Sequence, residues 1–176
     1  MMEFTSALAL IRKIPDFPKP GIVFLDITPV LANSDAFAAV IKEMSKSLPN
    51  VDVVAGIEAR GFILAAALAG ASEKGFVPFR KSGKLPHQTH GEKYGLEYGD
   101  DEIEVHIDAF EPGQRVLIID DVLATGGTLL AAIALAKRCG AVVEKVLVLL
   151  EIDFLSGREK ISALYPDIEV IALEHA

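Results

Sequence analysis

Runs of apolar residues alternate with helical patterns along most of this chain. Continuous apolar stretches such as VDVVAGI (51–57) and RVLIIDD (115–121) are typical of strands buried on both faces of a sheet. Helical spacing of apolar residues is found in DAFAAVIKEMSKSL (35–48), FILAAALAGASEKG (62–75) and GGTLLAAIALAKRCG (126–140). This alternation predicts an α/β fold with a mostly parallel twisted sheet flanked by helices.

Capping residues and glycines are expected to set the limits of these elements. Asn33 and Ser34 predict the start of the first long helix, whereas Gly75 and Gly140 are expected to end the next two. A further short helix is expected at 158–165. Further strands are expected at GFVPFRK (75–81), EIEVHI (102–107), VEKVLVLLEI (143–152) and IEVIAL (168–173).

Two segments lack a clear periodicity. IPDFPKPGIVFLDITPVL (14–31) contains several prolines, which favour an extended or turning segment over a helix. SGKLPHQTHGEKYGLEYGDD (82–101) contains four glycines and is expected to be a long loop. Loops of this length in a compact domain are usually functional or mobile.

Composition narrows the classes of function. The length of 176 residues suits a single domain, and the formal net charge of −8 argues against broad binding of nucleic acid. No apolar run is long enough to cross a membrane, and the N-terminus does not resemble a signal peptide. The single cysteine, Cys139, cannot form an intrachain disulfide, which suits a cytoplasmic protein. The four histidines lack the spacing of metal ligands, so no structural metal site is expected.

Three polar segments follow predicted parallel strands. They are EARG (58–61), RK (80–81) and DDVLATGGT (120–128). In open α/β sheets, ligands bind at the carboxyl ends of the strands. We therefore expect these three segments to meet at one edge of the sheet.

The segment ATGGT has the features of a phosphate-binding turn. Gly126 and Gly127 let the backbone approach an anion, Thr125 and Thr128 offer hydroxyl groups, and the following helix points free N–H groups at the turn. It lacks the lysine of a Walker loop. An ordinary strand-to-helix turn is the alternative for these glycines alone. The adjacent aspartates favour a ligand that carries both a phosphate and a diol, as ribose 5-phosphate does.

VLIIDDVLATGGT (116–128) resembles the binding motif of the type I phosphoribosyltransferases, which use phosphoribosyl pyrophosphate (PRPP). Other segments resemble members of this family that act on adenine, and the similarity spans roughly residues 12–160. These segments are DFPKPGIVFLDITPVL (16–31), GIEARGF (56–62), RKSGKLP (80–86), YGLEYG (94–99) and AFEPGQRV (109–116).

The resemblance implies a domain organisation as well as a fold. It implies one phosphoribosyltransferase domain over residues 1–176, with the type I phosphoribosyltransferase fold. Residues 1–32 would form an N-terminal hood that binds the base, and residues 82–101 a flexible catalytic flap.

The resemblance also implies roles for the residues that bind PRPP and AMP. Asp120 and Asp121 would hold the ribose hydroxyls and help to hold Mg²⁺, which PRPP itself mainly binds. Arg60 would meet the pyrophosphate, although a structural pair with Glu58 is an open alternative. The 5′-phosphate would lie on Ala124, Thr125, Gly126, Gly127 and Thr128.

The basic residues Lys81 and Lys84, with Arg80 beside them, form the densest positive cluster in an acidic chain. The resemblance implies that they bind PRPP, and that they can serve the site of a neighbouring subunit. A solvated loop is the alternative interpretation.

Base recognition is implied for Val23, Phe24 and Leu25. Phe24 would stack on adenine while the backbone at Val23 and Leu25 meets its Watson–Crick edge, although Phe24 could instead be a core aromatic. Leu25 departs from the family, since many members have Arg or Lys there. This departure puts a side-chain contact to the base in doubt.

The chemical step is implied for the flap. Glu97 would be the acid/base group beside the purine, and Tyr98 or Tyr94 would close the flap, with Arg60 and Lys81 completing the catalytic set. Glu97 and Tyr98 would also belong to the adenine-binding residues. The flap would exclude water from an oxocarbenium-like transition state.

The implied reaction converts adenine and PRPP into AMP and pyrophosphate in purine salvage, with Mg²⁺ as cofactor and a homodimer as the assembly. Two alternatives stay open. One is transfer to another purine, such as hypoxanthine, guanine or xanthine. The other is a PRPP-sensing regulator without catalytic activity.

Overall fold

The computed structural model describes residues 2–96 and 99–176. These residues form two compact units, one ending at Lys46 and the other beginning at Ser47. The first unit contains α1 (Phe4–Leu8), β1 (Arg12–Pro15), β2 (Val23–Asp26), α2 (Thr28–Ala32) and α3 (Ser34–Ser45). The second unit contains β3 (Val53–Ile57), α4 (Arg60–Ala71), β4 (Gly75–Lys81), β5 (Thr89–Leu96), β6 (Gly99–His106), β7 (Arg115–Leu123), α5 (Gly127–Arg138), β8 (Val142–Glu151), a 3₁₀ turn (Asp153–Leu155), α6 (Gly157–Leu164) and β9 (Glu169–His175).

In the first unit, β1 and β2 form an antiparallel pair, and the capped helix α3 follows. The Asn33 side chain accepts a hydrogen bond of 3.0 Å from the Ala36 N–H, which confirms the predicted N-cap. The expectation of a non-helical segment over 14–31 is wrong at its end, where α2 forms from Thr28. Pro29 lies in the first turn of α2, where proline is tolerated because its missing N–H has no helical acceptor.

The second unit is built on a seven-stranded sheet in the order β5-β6-β4-β3-β7-β8-β9. The central pairs β3–β4, β3–β7, β7–β8 and β8–β9 are parallel, whereas β6 pairs antiparallel with both β4 and β5. The predicted α/β fold with a mostly parallel sheet is therefore confirmed. Strands β3 and β7 are almost fully buried, as their continuous apolar sequences predict.

Helices cover both faces of this sheet. Val53, Ala55 and Ile57 of β3 belong to the same buried cluster as the inner face of α5. The intervening Gly56 faces α4, where an added Cβ would lie only 2.6 Å from the Cβ of Ala65. Since alternate residues of a strand face opposite sides, α4 and α5 lie on opposite faces of the sheet.

The structure corrects two predicted boundaries. Helix α4 ends at Ala71 rather than at Gly75, because Glu73 adopts the left-handed turn conformation (φ 54°) and Gly75 begins β4. The segment 82–101 is not one long loop, because β5 and the start of β6 form an antiparallel hairpin there. No helix among the described residues is long and apolar enough to span a bilayer.

Candidate active site

The three polar segments predicted to meet do lie at one edge of the sheet. Because β3 is parallel to both β4 and β7, the carboxyl ends of the three strands emerge side by side. Contacts between side chains join the segments pairwise: Arg60 reaches Asp121, and Arg80 reaches Glu58. This edge of the sheet therefore brings together the cations Arg60 and Arg80 and the paired aspartates.

The sequence suggested that Asp120 and Asp121 end their strand. In the structure they do not. Strand β7 continues to Leu123, which pairs with Glu151 of β8, so both carboxylates belong to the sheet itself. Asp120 is half-buried and Asp121 is buried, with the Asp120 carboxylate accepting a 2.9 Å bond from the Asp121 N–H. The backbone of the strand therefore fixes the two acidic groups beside each other.

This placement perturbs both carboxyl groups. Loss of hydration raises the pKa of Asp120 well above its ordinary value, and the adjacent charge of Asp121 raises it further. Burial also raises the pKa of Asp121, although the nearby Arg60 guanidinium opposes the shift. The protein alone therefore stabilises the ionised form of this pair poorly. Hydroxyl donors or a cation would stabilise it.

Arg60 lies at the start of α4 and pairs with Asp121. Its Nε is 2.9 Å from the Asp121 Oδ2, at an angle outside hydrogen-bond geometry, so the contact is an ion pair. The alternative pair of Arg60 with Glu58 is not formed. Glu58 instead accepts bonds from the Arg80 side chain at 3.2 and 3.3 Å and from the Lys81 N–H at 3.0 Å.

The contacts of Glu58 with Arg80 and Lys81 give it a structural role that the sequence did not predict. Its burial acts to raise the pKa, but the bonds from Arg80 and Lys81 outweigh this effect and the pKa is lowered. The ionised carboxylate ties the end of β3 to the end of β4. Arg80 also donates to the Lys84 carbonyl at 3.1 Å, and Lys84 itself is exposed. Arg80 is therefore a structural residue of the basic cluster, whereas Lys84 is open to solvent.

The loop predicted to bind phosphate (residues 124–128, called the phosphate loop below) lines a small cavity of about 60 Å³ together with Asp120 and neighbouring residues of β7 and α5. Gly126 is the N-cap of α5 and has a positive φ of 83°, a conformation that favours glycine. The N–H groups of residues 125–128 donate no hydrogen bond to any described residue. Unpaired N–H groups at a helix N-terminus are the usual protein site for a phosphate.

The hairpin of β5 and β6 lies against the phosphate loop. A Cβ on Gly127 would lie 3.5 Å from the Tyr94 ring, and Tyr94 also interacts with the Thr128 side chain. The Tyr94 hydroxyl donates a 3.0 Å bond to Asp101, which also forms a 3.0 Å ion pair with Lys81. Asp101 thus joins a predicted PRPP residue to a predicted flap residue.

Asp101 was not singled out from the sequence. It lies directly across the hairpin from Tyr94 in the strand register. A reader of the sequence could have found it only by predicting the hairpin first. Its bonds with Lys81 lower its pKa, so it is an ionised partner for the lysine.

Three of the predicted adenine-binding residues, Val23, Phe24 and Leu25, lie on β2 in the first unit. Val23 is 53% exposed, whereas Phe24 and Leu25 are half-buried. The Phe24 ring meets the Phe17 ring edge-on, with centroids 5.2 Å apart. Phe24 is therefore neither a fully buried core residue nor a free surface ring. Glu97 and Tyr98 lie outside the described residues.

Comparison with known proteins identifies the family of this chain. The model of the phosphoribosyl transferase domain matches residues 28–171. An adenine phosphoribosyltransferase from Nocardioides sp. is 52% identical over 166 residues, which cover 91% of this chain and 90% of that protein. The crystal structure of adenine phosphoribosyltransferase from Thermoanaerobacter pseudethanolicus is 45% identical, with a TM-score of 0.92 over 98% of this chain and 99% of that one. The enzyme from Saccharomyces cerevisiae, solved with adenine and an imino-altritol bisphosphate, is 34% identical, with a TM-score of 0.89 over 96% and 97% of the two chains. The chain therefore belongs to the phosphoribosyltransferase family, within the group of the adenine phosphoribosyltransferases.

Proposed function

We propose that this chain transfers the 5-phosphoribosyl group of PRPP to adenine, which yields AMP and pyrophosphate in purine salvage. The observation that carries the proposal is the continuous arrangement of Asp120, Asp121 and the phosphate loop along one strand and turn. The similarity to adenine phosphoribosyltransferases selects adenine as the base.

The phosphoribosyl group fits the chemistry of this arrangement. Free N–H groups of the phosphate loop and the hydroxyls of Thr125 and Thr128 bind the 5′-phosphate. Asp120 and Asp121 accept hydrogen bonds from the two ribose hydroxyls. Their raised pKa values support this role, because donated hydrogen bonds relieve the cost of ionising two neighbouring carboxyl groups that have lost hydration.

Pyrophosphate binding falls to Arg60 and Lys81. Each is already paired with a carboxylate, Arg60 with Asp121 and Lys81 with Asp101. A pyrophosphate carries more negative charge than a single carboxylate, so both cations can turn from these partners to the ligand. Lys84 is exposed nearby and adds positive charge to the same edge.

Magnesium is the proposed cofactor, held mainly by PRPP. The donor set fits it, since carboxylate oxygens are the ligands that Mg²⁺ prefers, and Asp120 and Asp121 offer them directly or through water. One oxygen of each carboxylate is already engaged, Asp120 by the Asp121 N–H and Asp121 by Arg60, and Asp120 is the more exposed of the two. When bound, the ion offsets the charge of the departing pyrophosphate.

The base and the chemical step are assigned to β2 and to the flap. Phe24 stacks on adenine, and the backbone of Val23 and Leu25 reads its Watson–Crick edge, a contact that does not depend on the leucine side chain. Glu97 moves the proton of the purine ring nitrogen, and Tyr98 or Tyr94 closes the flap over the base. The edge-on packing of Phe17 against Phe24 supports the stacking role, because it restrains the Phe24 ring.

The proposal includes a homodimeric assembly and a cytoplasmic location, both of which follow from the family resemblance. A single cysteine, half-buried at Cys139, suits a reducing compartment. Light scattering of the purified protein tests this assembly. A dimer should give about twice the chain mass of 18.9 kDa.

The decisive experiment is a panel of purines. The protein is incubated with PRPP, Mg²⁺ and, separately, adenine, hypoxanthine, guanine and xanthine, and nucleotide formation is followed by chromatography. We expect AMP to form far faster than the other nucleotides. A preference for another purine would replace adenine as the substrate, and absence of any nucleotide alongside tight PRPP binding would favour a regulator. Omission of Mg²⁺ in a parallel series tests the cofactor.

A further inference from the structure

The first turn of α6 presses directly against the phosphate loop. At Gly157 an added Cβ would lie 2.3 Å from the Ala124 carbonyl oxygen and 2.6 Å from the Leu123 Cδ1. It would also lie 3.1 Å from the Gly126 nitrogen. Since these neighbours are mostly backbone atoms, they cannot move aside as the end of a flexible side chain can. Only glycine permits this contact between α6 and the loop.

Lys160, one turn further along α6, binds the same loop. Its Nζ donates a 3.2 Å hydrogen bond to the carbonyl oxygen of Thr125. In a trans peptide the C=O of one residue and the N–H of the next point in opposite directions. A carbonyl held on the side of α6 therefore directs the Gly126 N–H away from the helix. The contact of the Ala124 carbonyl with Gly157 orients the Thr125 N–H in the same way.

The turn that carries these residues is itself anchored. The Arg158 Nε donates to both carboxylate oxygens of Glu151 at 3.0 Å, and Glu151 is only 4% exposed at the end of β8. Asp153 and His175 lie near Glu151, so the three side chains could suggest a metal site. Arg158 already neutralises the Glu151 carboxylate, so the group is better explained as an anchor for α6.

We propose that Gly157 and Lys160 are positioning residues for the 5′-phosphate: they hold the carbonyls of the phosphate loop toward α6 and thereby aim its N–H groups at the ligand. The inference rests on the proposed binding of a ribose 5-phosphate group at this loop. Neither residue touches the ligand in this role. They act through the orientation of two peptide groups, which a phosphate site must fix because carbonyl oxygens repel an anion.

The test measures binding of ribose 5-phosphate to the full-length protein by calorimetry, which does not depend on the base or on turnover. Lys160→Met removes the bond to Thr125 and is expected to weaken binding about 3- to 10-fold, whereas Lys160→Arg restores most of the affinity. Lys137→Met is the matched control, since it removes the same charge from the far end of α5 and should leave binding unchanged. Gly157→Ala is expected to weaken binding more than Lys160→Met, with its melting temperature recorded alongside.

Ionic strength separates positioning from simple attraction of charge. A loss in Lys160→Met that persists at high salt supports the proposal, whereas a loss that disappears at high salt overturns it in favour of a through-space charge effect. Equal affinity of Lys160→Met and the wild type also overturns it. If the wild type binds ribose 5-phosphate but makes no AMP, the proposed function fails while this inference can still be tested.

Discussion

Arg60 and Asp121 form an ion pair across the edge of the sheet, with 2.9 Å between the arginine Nε and the aspartate Oδ2. The pair connects the start of α4 to strand β7. It joins a residue proposed to bind pyrophosphate to one proposed to bind the ribose. The two halves of the proposed PRPP site are thus linked through one contact in the absence of ligand.

We predict that Asp121→Asn weakens the binding of PRPP and of AMP alike. The change removes a charged acceptor for the ribose hydroxyls, and such hydrogen bonds contribute about 1.5–3 kcal/mol, or roughly 10- to 100-fold in affinity. Calorimetry with each ligand measures the effect. Asp52→Asn is the control, because it breaks an ion pair with Arg115 at the opposite ends of the strands. Unchanged affinity in Asp121→Asn would contradict the assignment.

The raised pKa of Asp120 predicts a specific dependence of stability on pH. A carboxyl group whose pKa is higher in the folded state binds more protons there, so the free energy of unfolding falls as pH rises from the ordinary value toward the raised one. Asp120→Asn has no carboxyl group that must ionise at this position, so it does not lose stability in this way. It should melt at a higher temperature than the wild type near neutral pH, by about 2–4 °C for each kcal/mol. Calorimetric scans from pH 4 to 8 give the melting temperatures of both proteins. The difference between the two melting temperatures should narrow toward the acidic end. A difference that is constant with pH would show that charge is not its cause.

Replacement by alanine at two glycines of α4 should change the stability of the protein in opposite directions. At Gly61 a Cβ would lie 2.9 Å from both the Asp120 Oδ1 and the Ile119 carbonyl oxygen, whereas at Gly70 it would meet nothing within 4 Å. Gly61→Ala should therefore destabilise the fold by about 1–3 kcal/mol. Gly70→Ala should stabilise it by about 0.5–1 kcal/mol through the lower entropy of the unfolded chain. Urea unfolding of both variants tests the contrast, and equal effects would refute the close packing of α4 on β7.

Tyr94 should titrate unusually late. Burial raises the pKa of its hydroxyl to about 12, and the negative charge of Asp101 adds to the shift. Alkaline titration followed by tyrosinate absorbance should show a late phase that is lost in Tyr94→Phe and kept in Tyr165→Phe. If the late phase persisted in Tyr94→Phe, it would not come from Tyr94, and the burial of this side chain in the hairpin would be contradicted.

Glu97 is predicted to act in the chemical step. Glu97→Gln keeps the size of the side chain but removes its ability to exchange a proton, so turnover should fall by about 10²–10⁴-fold while PRPP binding is largely spared. Steady-state kinetics and calorimetry measure the two effects separately. Unchanged turnover would exclude Glu97 from the reaction, and Glu92→Gln on β5 is the control.

The sequence by itself determined the elements whose signals are local. Continuous apolar runs located β3 and β7, and the side chain of Asn33 located the start of α3, because burial patterns and caps involve neighbouring residues. The motif over 116–128 likewise located the turn between β7 and α5. Local signals misled where a residue has two uses: Pro29 entered a helix at its first turn, and Gly75 began a strand instead of ending a helix.

Only the tertiary structure decided how distant residues are paired. The strand register placed Asp101 opposite Tyr94 and within reach of Lys81, and it assigned Glu58 to Arg80 rather than to Arg60. The contact of Gly157 with the phosphate loop has no local signature, since it depends on the packing of α6 against the end of β7. Side-chain chemistry can be read along the chain, but hydrogen bonds and ion pairs form over about 3–4 Å, a distance that only the folded backbone sets.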